Sequence, residues 1–159
     1  MPIYNHFCAD QNGKVGGEGS ALRLVGEGAL LPVLVSTTSW LATFLHSIGK
    51  AVPAAVQGLA LLDTGAAYCA IDQDVPRQMG VPPVGYLMTL GATSPKPIPA
   101  FTYPASLSFP TTNLPNITFQ DFLGLPLKSQ GIIALIGRTV LKHFVMVYNG
   151  PCGIITLSH

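Results

Sequence analysis

The sequence predicts a mostly β, single-domain fold, and two features predict it. Its 17 glycines and 14 prolines are scattered along the chain, cutting it into apolar runs of strand length instead of collecting in one linker. Its 159 residues give one domain room for a sizeable core and leave none for a second. No segment repeats, and the stretch around Asp63 has no second copy. Residues 1–28 read as an amino-terminal extension and residues 29–159 as the domain proper.

In the extension, "GKVGGEGSALRLVGEG" is loop-rich, with a short strand at Ala21–Val25. Ala29–Val35 reads as a strand in which Pro32 marks an edge or a bulge. "STTSWLATFLHSIG" sets Ser and Thr ahead of apolar residues at 40, 41, 44, 45 and 48 and stops at Gly49. That is the pattern of a short amphipathic helix with Trp40 and Phe44 on the face turned to the core. Val56–Leu62 is a strongly apolar strand that delivers Asp63 at its end, and "YCAID" continues extended. "QDVPRQMG" makes one helical turn, with Asp74 as its cap and Gly80 as its stop. "VGYLMTLG" and "AFTYPASLSF", joined by "ATSPKPIP", form a hairpin, and "ITFQDF" is a further short strand. From Gly131 onward come a buried strand, a glycine break, a helical turn over Thr139–Phe144, and two strands, Val145–Tyr148 and Gly153–Leu157, joined by "NGPCG".

Composition excludes several function classes. Eight Lys and Arg against seven Asp and Glu give a net charge of +1, which is not the basic footprint that nucleic acid or anionic lipid demands. Only 9% of residues are charged and the mean hydropathy is +0.45, where a soluble domain carries roughly 25% charged residues. So apolar an exterior is expected to meet another protein surface, a first sign of an oligomer. Gly28–Gly49 approaches the ~20 residues of a spanning helix, but Pro32 and the Ser36–Ser39 cluster break it, so no membrane segment is expected. The amino end shows neither a basic n-region nor an apolar h-region. Cys8, Cys69 and Cys152 are odd in number and widely spaced, which fits free thiols in a reducing compartment and favours the cytoplasm. His6 and Cys8 alternate like two ligands but lack a second pair, so neither a metal nor a cofactor is expected.

In "LALLDTGAAYCAID", Leu59–Asp72, one carboxylate follows an aliphatic run and precedes Thr64, Gly65 and Ala66. Side chains alternate along a strand, so Leu61 and Asp63 share a face while Leu62 points into the core. Gly65 frees the backbone to turn and lets another group approach closely, and the Thr64 hydroxyl can bond a neighbouring backbone. Downstream, "ALIGRTVL" sets Leu135 and Ile136 before Gly137 and Arg138, with a helix following.

The two anchors "LLDTGA" and "LIGR", in this order around a hairpin, resemble the retropepsin-like aspartic peptidases, single-lobed relatives of pepsin. The resemblance covers roughly residues 29–157, and the tail "VMVYNGPCGIITL" looks like the closing strands of bacterial members. It implies a closed β-barrel or sandwich of the acid-protease fold, with one or two short helices and a flap hairpin. It implies that Asp63 is catalytic, that Thr64, Gly65, Ala66, Gly137 and Arg138 support the site, and that Leu61, Ala67, Gly91, Leu135 and Ile136 bind or back the substrate. The hairpin from Tyr86 to Phe109, with Gly91–Pro97 at its tip, would be the flap, and Thr64 of each subunit would cross-link the two loops beneath the acids. The family's site needs two acids and this chain offers one in such a context, so a homodimer is implied, acting on an extended peptide or protein with apolar residues beside the cut.

The chain also departs from the family pattern. Ala67 stands where viral members often carry an acid that pairs with the residue matching Arg138, so Arg138 needs another partner: Asp72, Asp74 or a carbonyl. The tip "GATSPKP" is Pro-rich, which implies a stiff lid, and the amino-terminal extension offers a strand that competes with Ile154–His159 for the intersubunit sheet. Cys69 lacks a histidine in a cysteine-protease context and reads as a small core residue; His46, His143 and His159 read as surface or helix-end groups. The alternative to a peptidase is a catalytically silent module of the same fold that dimerises or binds peptides. A third reading is a self-processing domain cut from a longer protein.

Overall fold

The computed structural model describes residues 3–90, 96–110 and 112–159. The described residues form ten strands and four short α-helices, in agreement with the mostly β expectation but with more helices than the one or two expected. Seven strands form one sheet: β2 (Leu30–Ser36), β3 (Val56–Leu62), β4 (Ala70–Asp72), β5 (Gly85–Thr89), β6 (Ile98–Ser108), β7 (Ile117–Leu125) and β8 (Ala134–Ile136). Their order is β2-β3-β8-β4-β7-β6-β5, and β2 pairs again with β6 through Leu34–Ser36, so six of the strands close into a barrel. The first half of β6 pairs instead with β5, which makes the expected hairpin. The tip residue Gly91 lies outside the described residues.

Alternation builds the interior. Along β2 every second residue, Leu31, Val33 and Val35, is fully buried, and these meet Ala60 and Leu62 of β3, Ala134 and Ile136 of β8, and Ala105 and Leu107 of β6 in the main core. Pro32 is tolerated because β2 meets β6 only from Leu34 onward, which leaves the earlier stretch with one unpaired edge, as the sequence suggested. Pro104, which has no N–H to give a ladder, sits where the β6–β7 register slips between Tyr103 and Ala105. A smaller apolar cluster on the other side of the sheet joins Ala70, Ala100, Leu123, Leu127 and Ile132 to Leu61, Leu87 and Leu135. It ties the root of the hairpin to the strands around Asp63.

β1 (Ile3–Phe7), β9 (Val145–Asn149) and β10 (Ile154–Ser158) form a second, antiparallel sheet in the order β1-β10-β9. The strand that competes for β10 is therefore the chain's own amino end, in register from Ile3↔Ser158 to Phe7↔Ile154. Next comes α1 (Glu18–Glu27), which replaces the strand expected at Ala21–Val25. The helix is framed by Gly17 and Gly28 at positive φ and carries an Arg23–Glu27 ion pair at i, i+4. It buries Ser20 and Leu24 and lies against the turn Gly150–Cys152. Packing thus overrides a glycine-rich composition that disfavours helix.

α2 (Ser39–Ser47) forms as expected but buries none of its residues. Trp40, Phe44 and Ile48 form an exposed stripe, 52%, 53% and 48% accessible, and only Leu41 of this helix packs on the core. The expectation that Trp40 and Phe44 face the core is corrected: the sequence identified the apolar face but not that most of it stays uncovered. α3 (Asp74–Gln78) has Gln73 at its cap position, so Asp74 is a first-turn residue and not the cap; its amide donates to Asp72 Oδ1 at 3.0 Å, and Gly80 ends the turn at φ +64°. α4 (Arg138–Leu141) follows β8 directly. All three cysteines are free, and no helix among the described residues is long and apolar enough to cross a membrane.

Gly153 holds α1 in place. Its φ is +63°, and an added Cβ would lie 2.6 Å from the Ser20 backbone, so Gly153→Ala is expected to lower stability by about 2–3 kcal/mol in denaturant unfolding. The β1–β10 contact also carries a pH dependence. Burial, and then the Arg23 charge, lower the His6 pKa in the folded chain. Its stabilising contribution is thus present above the ordinary histidine value and is lost as pH falls through the lowered one. His6→Gln is expected to flatten the fall of stability with acidification below about pH 6.5, measured by thermal unfolding across a pH series.

Candidate active site

β8 lies between β3 and β4, parallel to the first and antiparallel to the second, with Leu62 opposite Ile136 and Ala70 opposite Leu135. The loop from Asp63 to Cys69 must therefore loop around the end of β8, where Gly137 turns the chain into α4. Two turns meet there, and the acid is on one of them. The Asp63 amide continues the ladder by donating to the Ile136 carbonyl at 3.0 Å.

The Asp63 carboxylate is partly buried and asymmetric. Oδ1 accepts the amides of Gly65 at 2.7 Å and Ala66 at 3.2 Å, whereas Oδ2 takes no hydrogen bond among the described residues. Arg138 holds the same two peptide groups from their other side. Its Nη1 donates to the carbonyls of Thr64 and Gly65, each at 2.8 Å. The Thr64 carbonyl and the Gly65 amide belong to one peptide plane, and the Gly65 carbonyl and the Ala66 amide to the next. Each plane accepts from a cation at its oxygen and donates to Asp63 at its nitrogen, so the bonds polarise one another in the same sense. Of the three partners the sequence left open for Arg138, the carbonyls are the ones it takes.

Gly65 owes its place to space. Its φ is not in the left-handed region, but an added Cβ would stand 3.0 Å from Asp63 Oδ1. Gly137 is tighter still, since its Cβ would meet the Tyr68 carbonyl oxygen at 2.3 Å and the Ala66 oxygen at 3.0 Å. With no side chain there, the Arg138 amide reaches the Ala66 carbonyl at 2.9 Å and the Thr139 amide reaches that of Ala67 at 3.1 Å. Behind them Cys69, 4% exposed, accepts the Gly137 amide on Sγ at 3.3 Å and touches Thr139 Oγ1 at 3.4 Å. Burial pushes its thiol up, against the lowering by the Thr139 and Gly137 contacts, which suits a core group and not a nucleophile. The part of Thr139 had no signal in the sequence, because its partner lies 70 residues away.

The remaining candidates divide by burial. Thr64 and Ala67 are exposed, and the Thr64 hydroxyl has no partner among the described residues. Leu61 and Leu135 are half-buried in the outer cluster beside the hairpin residue Leu87, on the face that Asp63 shares. Ile136 is 2% exposed and points into the main core, which gives it a backing place and no access to a substrate. Gly91 is outside the described residues. Asp72 is buried and committed, its Oδ2 accepting the Lys128 amide at 2.7 Å, while Asp74 pairs with Arg77 at the surface. Two hollows of the molecule lie elsewhere, one inside the barrel around Leu31 and Phe144 and one beside α1, so Asp63 stands outside both. No group of three His, Cys, Asp or Glu is placed to hold a metal ion among the described residues.

No family model and no curated protein matches the chain. Among solved structures it is similar to the crystal structure of a retropepsin-like aspartic protease from Rickettsia conorii, with a TM-score of 0.45 and 12% identity, over 98% of this chain and 90% of that one.

Two glycines separate close approach from backbone freedom. Gly137→Ala is expected to cost about 3 kcal/mol or more, because the turn must part from Tyr68. Gly131→Ala, at φ +74° with open space around it, is expected to cost about 1 kcal/mol, both read from denaturant midpoints.

Proposed function

We propose that this chain is an aspartic endopeptidase that works as a homodimer, with Asp63 of each subunit flanking one water. The observation that carries the reading is a carboxylate with one oxygen locked by two amides and the other uncommitted, on a turn braced by Arg138. One chain supplies only half of what peptide hydrolysis by carboxylates needs. Of the seven acids, Asp10, Asp72 and Asp74 are tied to amides or Arg77, Glu27 is paired with Arg23, and neither Glu18 nor Asp121 lies on the Asp63 turn. A second copy is the simplest source of a matching acid, and a twofold axis would set two identical turns face to face.

Two carboxylates a few ångströms apart share one proton, because both cannot ionise comfortably. The ionised one takes a proton from the water, whose oxygen adds to the peptide carbonyl, and the protonated one gives its proton to the carbonyl oxygen. The resulting gem-diol then collapses. A proton passes to the nitrogen as the C–N bond breaks, releasing an acid and an amine and restoring the shared proton. The exposed Thr64 hydroxyl is free to bond its counterpart across the axis. The β5–β6 hairpin serves as the flap: its Leu87, opposite Ala100, packs beside Leu61 and Leu135 on the face that Asp63 shares. An extended peptide laid between that face and the Asp63 turn would meet Leu61, Leu87 and Leu135, which favours apolar residues on both sides of the cut.

Asp63→Asn is expected to abolish cleavage of a mixed peptide library. The shared site has its own signature in a mixing experiment. Adding an equal amount of the Asp63→Asn chain to wild type should cut activity to about half after subunit exchange, as random pairing dictates. Unchanged activity in the mixture would point to a site completed within one chain, and equal cleavage by both proteins would remove Asp63 from the chemistry.

A further inference from the structure

We propose that Cys69 and Thr139 are positioning residues for Asp63, an uncharged clasp anchored on a buried thiol that fixes Arg138 and, through it, the two peptide groups that hold the carboxylate. This rests on the peptidase reading above. Gly137, Arg138 and Thr139 are gripped in succession: the first by the Cys69 sulfur, the second by the Ala66 carbonyl, the third by the Ala67 carbonyl and again by Cys69. Arg138 is the middle residue. Its guanidinium is exposed and its side chain is long, so where Nη1 points depends on where its backbone is pinned, and the buried anchor of that segment is the thiol.

The chemistry of the pair fits the part. The buried thiol stays protonated, so its sulfur offers a neutral, polarizable acceptor to the Gly137 amide while sharing a proton with the Thr139 hydroxyl. An ion pair in this place would bring a desolvation cost and a salt dependence. A methyl group would leave the Gly137 N–H buried with no acceptor. Cys69 follows Tyr68, whose carbonyl is the first atom that a Cβ added at Gly137 would meet, so the sulfur sits where the two turns leave no room for a side chain. Loosening it lets the Gly137–Thr139 segment drift, and the carbonyls of Thr64 and Gly65 lose a fixed donor.

The experiment compares the full chain with Cys69→Ala, Cys69→Ser, Thr139→Val and the Ala/Val double variant. It reads kcat and KM on a peptide that wild type cleaves, together with hydrogen exchange at the Gly65 and Ala66 amides. Cys69→Ala should lower kcat about tenfold with KM within about twofold, and speed exchange at both amides beyond any global change. Cys69→Ser keeps an acceptor and should recover most of kcat. The double variant should be no slower than Cys69→Ala, since both changes remove one contact. Should Cys69→Ala fail to fold, Thr139→Val, which leaves the Gly137 bond in place, is expected to lower kcat about threefold with the same exchange signature. Wild-type kcat and unchanged exchange in the folded variants would overturn the clasp, as would Ala and Ser variants losing activity alike and only in step with stability. If neither wild type nor Asp63→Asn cleaves any peptide, it is the peptidase reading that fails, and exchange at Gly65 and Ala66 alone decides whether the thiol anchors the turn.

Discussion

Two peptide planes, Thr64–Gly65 and Gly65–Ala66, carry the geometry of the site, because each is bonded at both ends: to Arg138 through its oxygen and to Asp63 through its nitrogen. A carboxylate held by one side chain can swing about that contact. Held by two amides of its own turn, whose carbonyls are in turn fixed, it keeps one orientation. The arrangement needs the Asp63 turn and the Gly137 turn to touch, and they can touch only because position 137 has no Cβ. From that contact follow the ladder bond from Asp63 to Ile136, the approach of α4 to Ala66 and Ala67, and the aim of Arg138.

The barrel serves this contact. β8 has only three residues, yet it is flanked on both sides, by β3 that leads to Asp63 and by β4 that leads away. Both faces of that short strand are covered: Ala134 and Ile136 face the main core, while Leu135 packs in the outer cluster with Leu61 and Leu87. Burial on two sides fixes the height at which Gly137 emerges, since a slip of one residue would exchange the core and outer faces. Asp72 does comparable work at the far end of β4, where its two oxygens take the amides of Asp74 and Lys128 and close two loops with one buried carboxylate. A chain with few charges thus uses several of its acids to satisfy backbone amides.

How much of this was legible follows from range. β3 and β8 are short aliphatic runs stopped by Asp63 and by Gly137, and a continuous apolar run between such marks reads directly as a buried strand. The hairpin was legible from two extended runs with a Pro-rich joint, and Asp63 with Arg138 from residue type and order. Contacts made across the fold were not. The Gly-rich Gly13–Gly28 stretch looked like loop because its helix is held by Ser20 and Leu24 against a turn more than a hundred residues away. The apolar stripe of α2 was visible, but a stripe does not say whether a neighbour covers it, and Trp40 and Phe44 remain open. The resemblance groups Ile136 with Leu135, although alternation sends the two to opposite faces. The Cys69–Thr139 contact and the bonds of Arg138 to carbonyls depend on β8 entering between β3 and β4, which no local pattern encodes.

On the proposed reading, the asymmetry of Asp63 explains how one chain can carry half of a reactive centre without harm. Its bound oxygen belongs to the subunit's own architecture and is satisfied before any partner arrives. Its other oxygen takes no hydrogen bond among the described residues and the residue is only partly buried, so the folded subunit does not have to bury an unpaired charge completely. The repulsive step, bringing two like carboxylates together in a drier place, is deferred to assembly, where apolar surface and a bound peptide can offset it. Hydrolytic power then exists only in the assembled pair. Because the turn is braced within each subunit, assembly needs to align two preformed halves and not to build either of them.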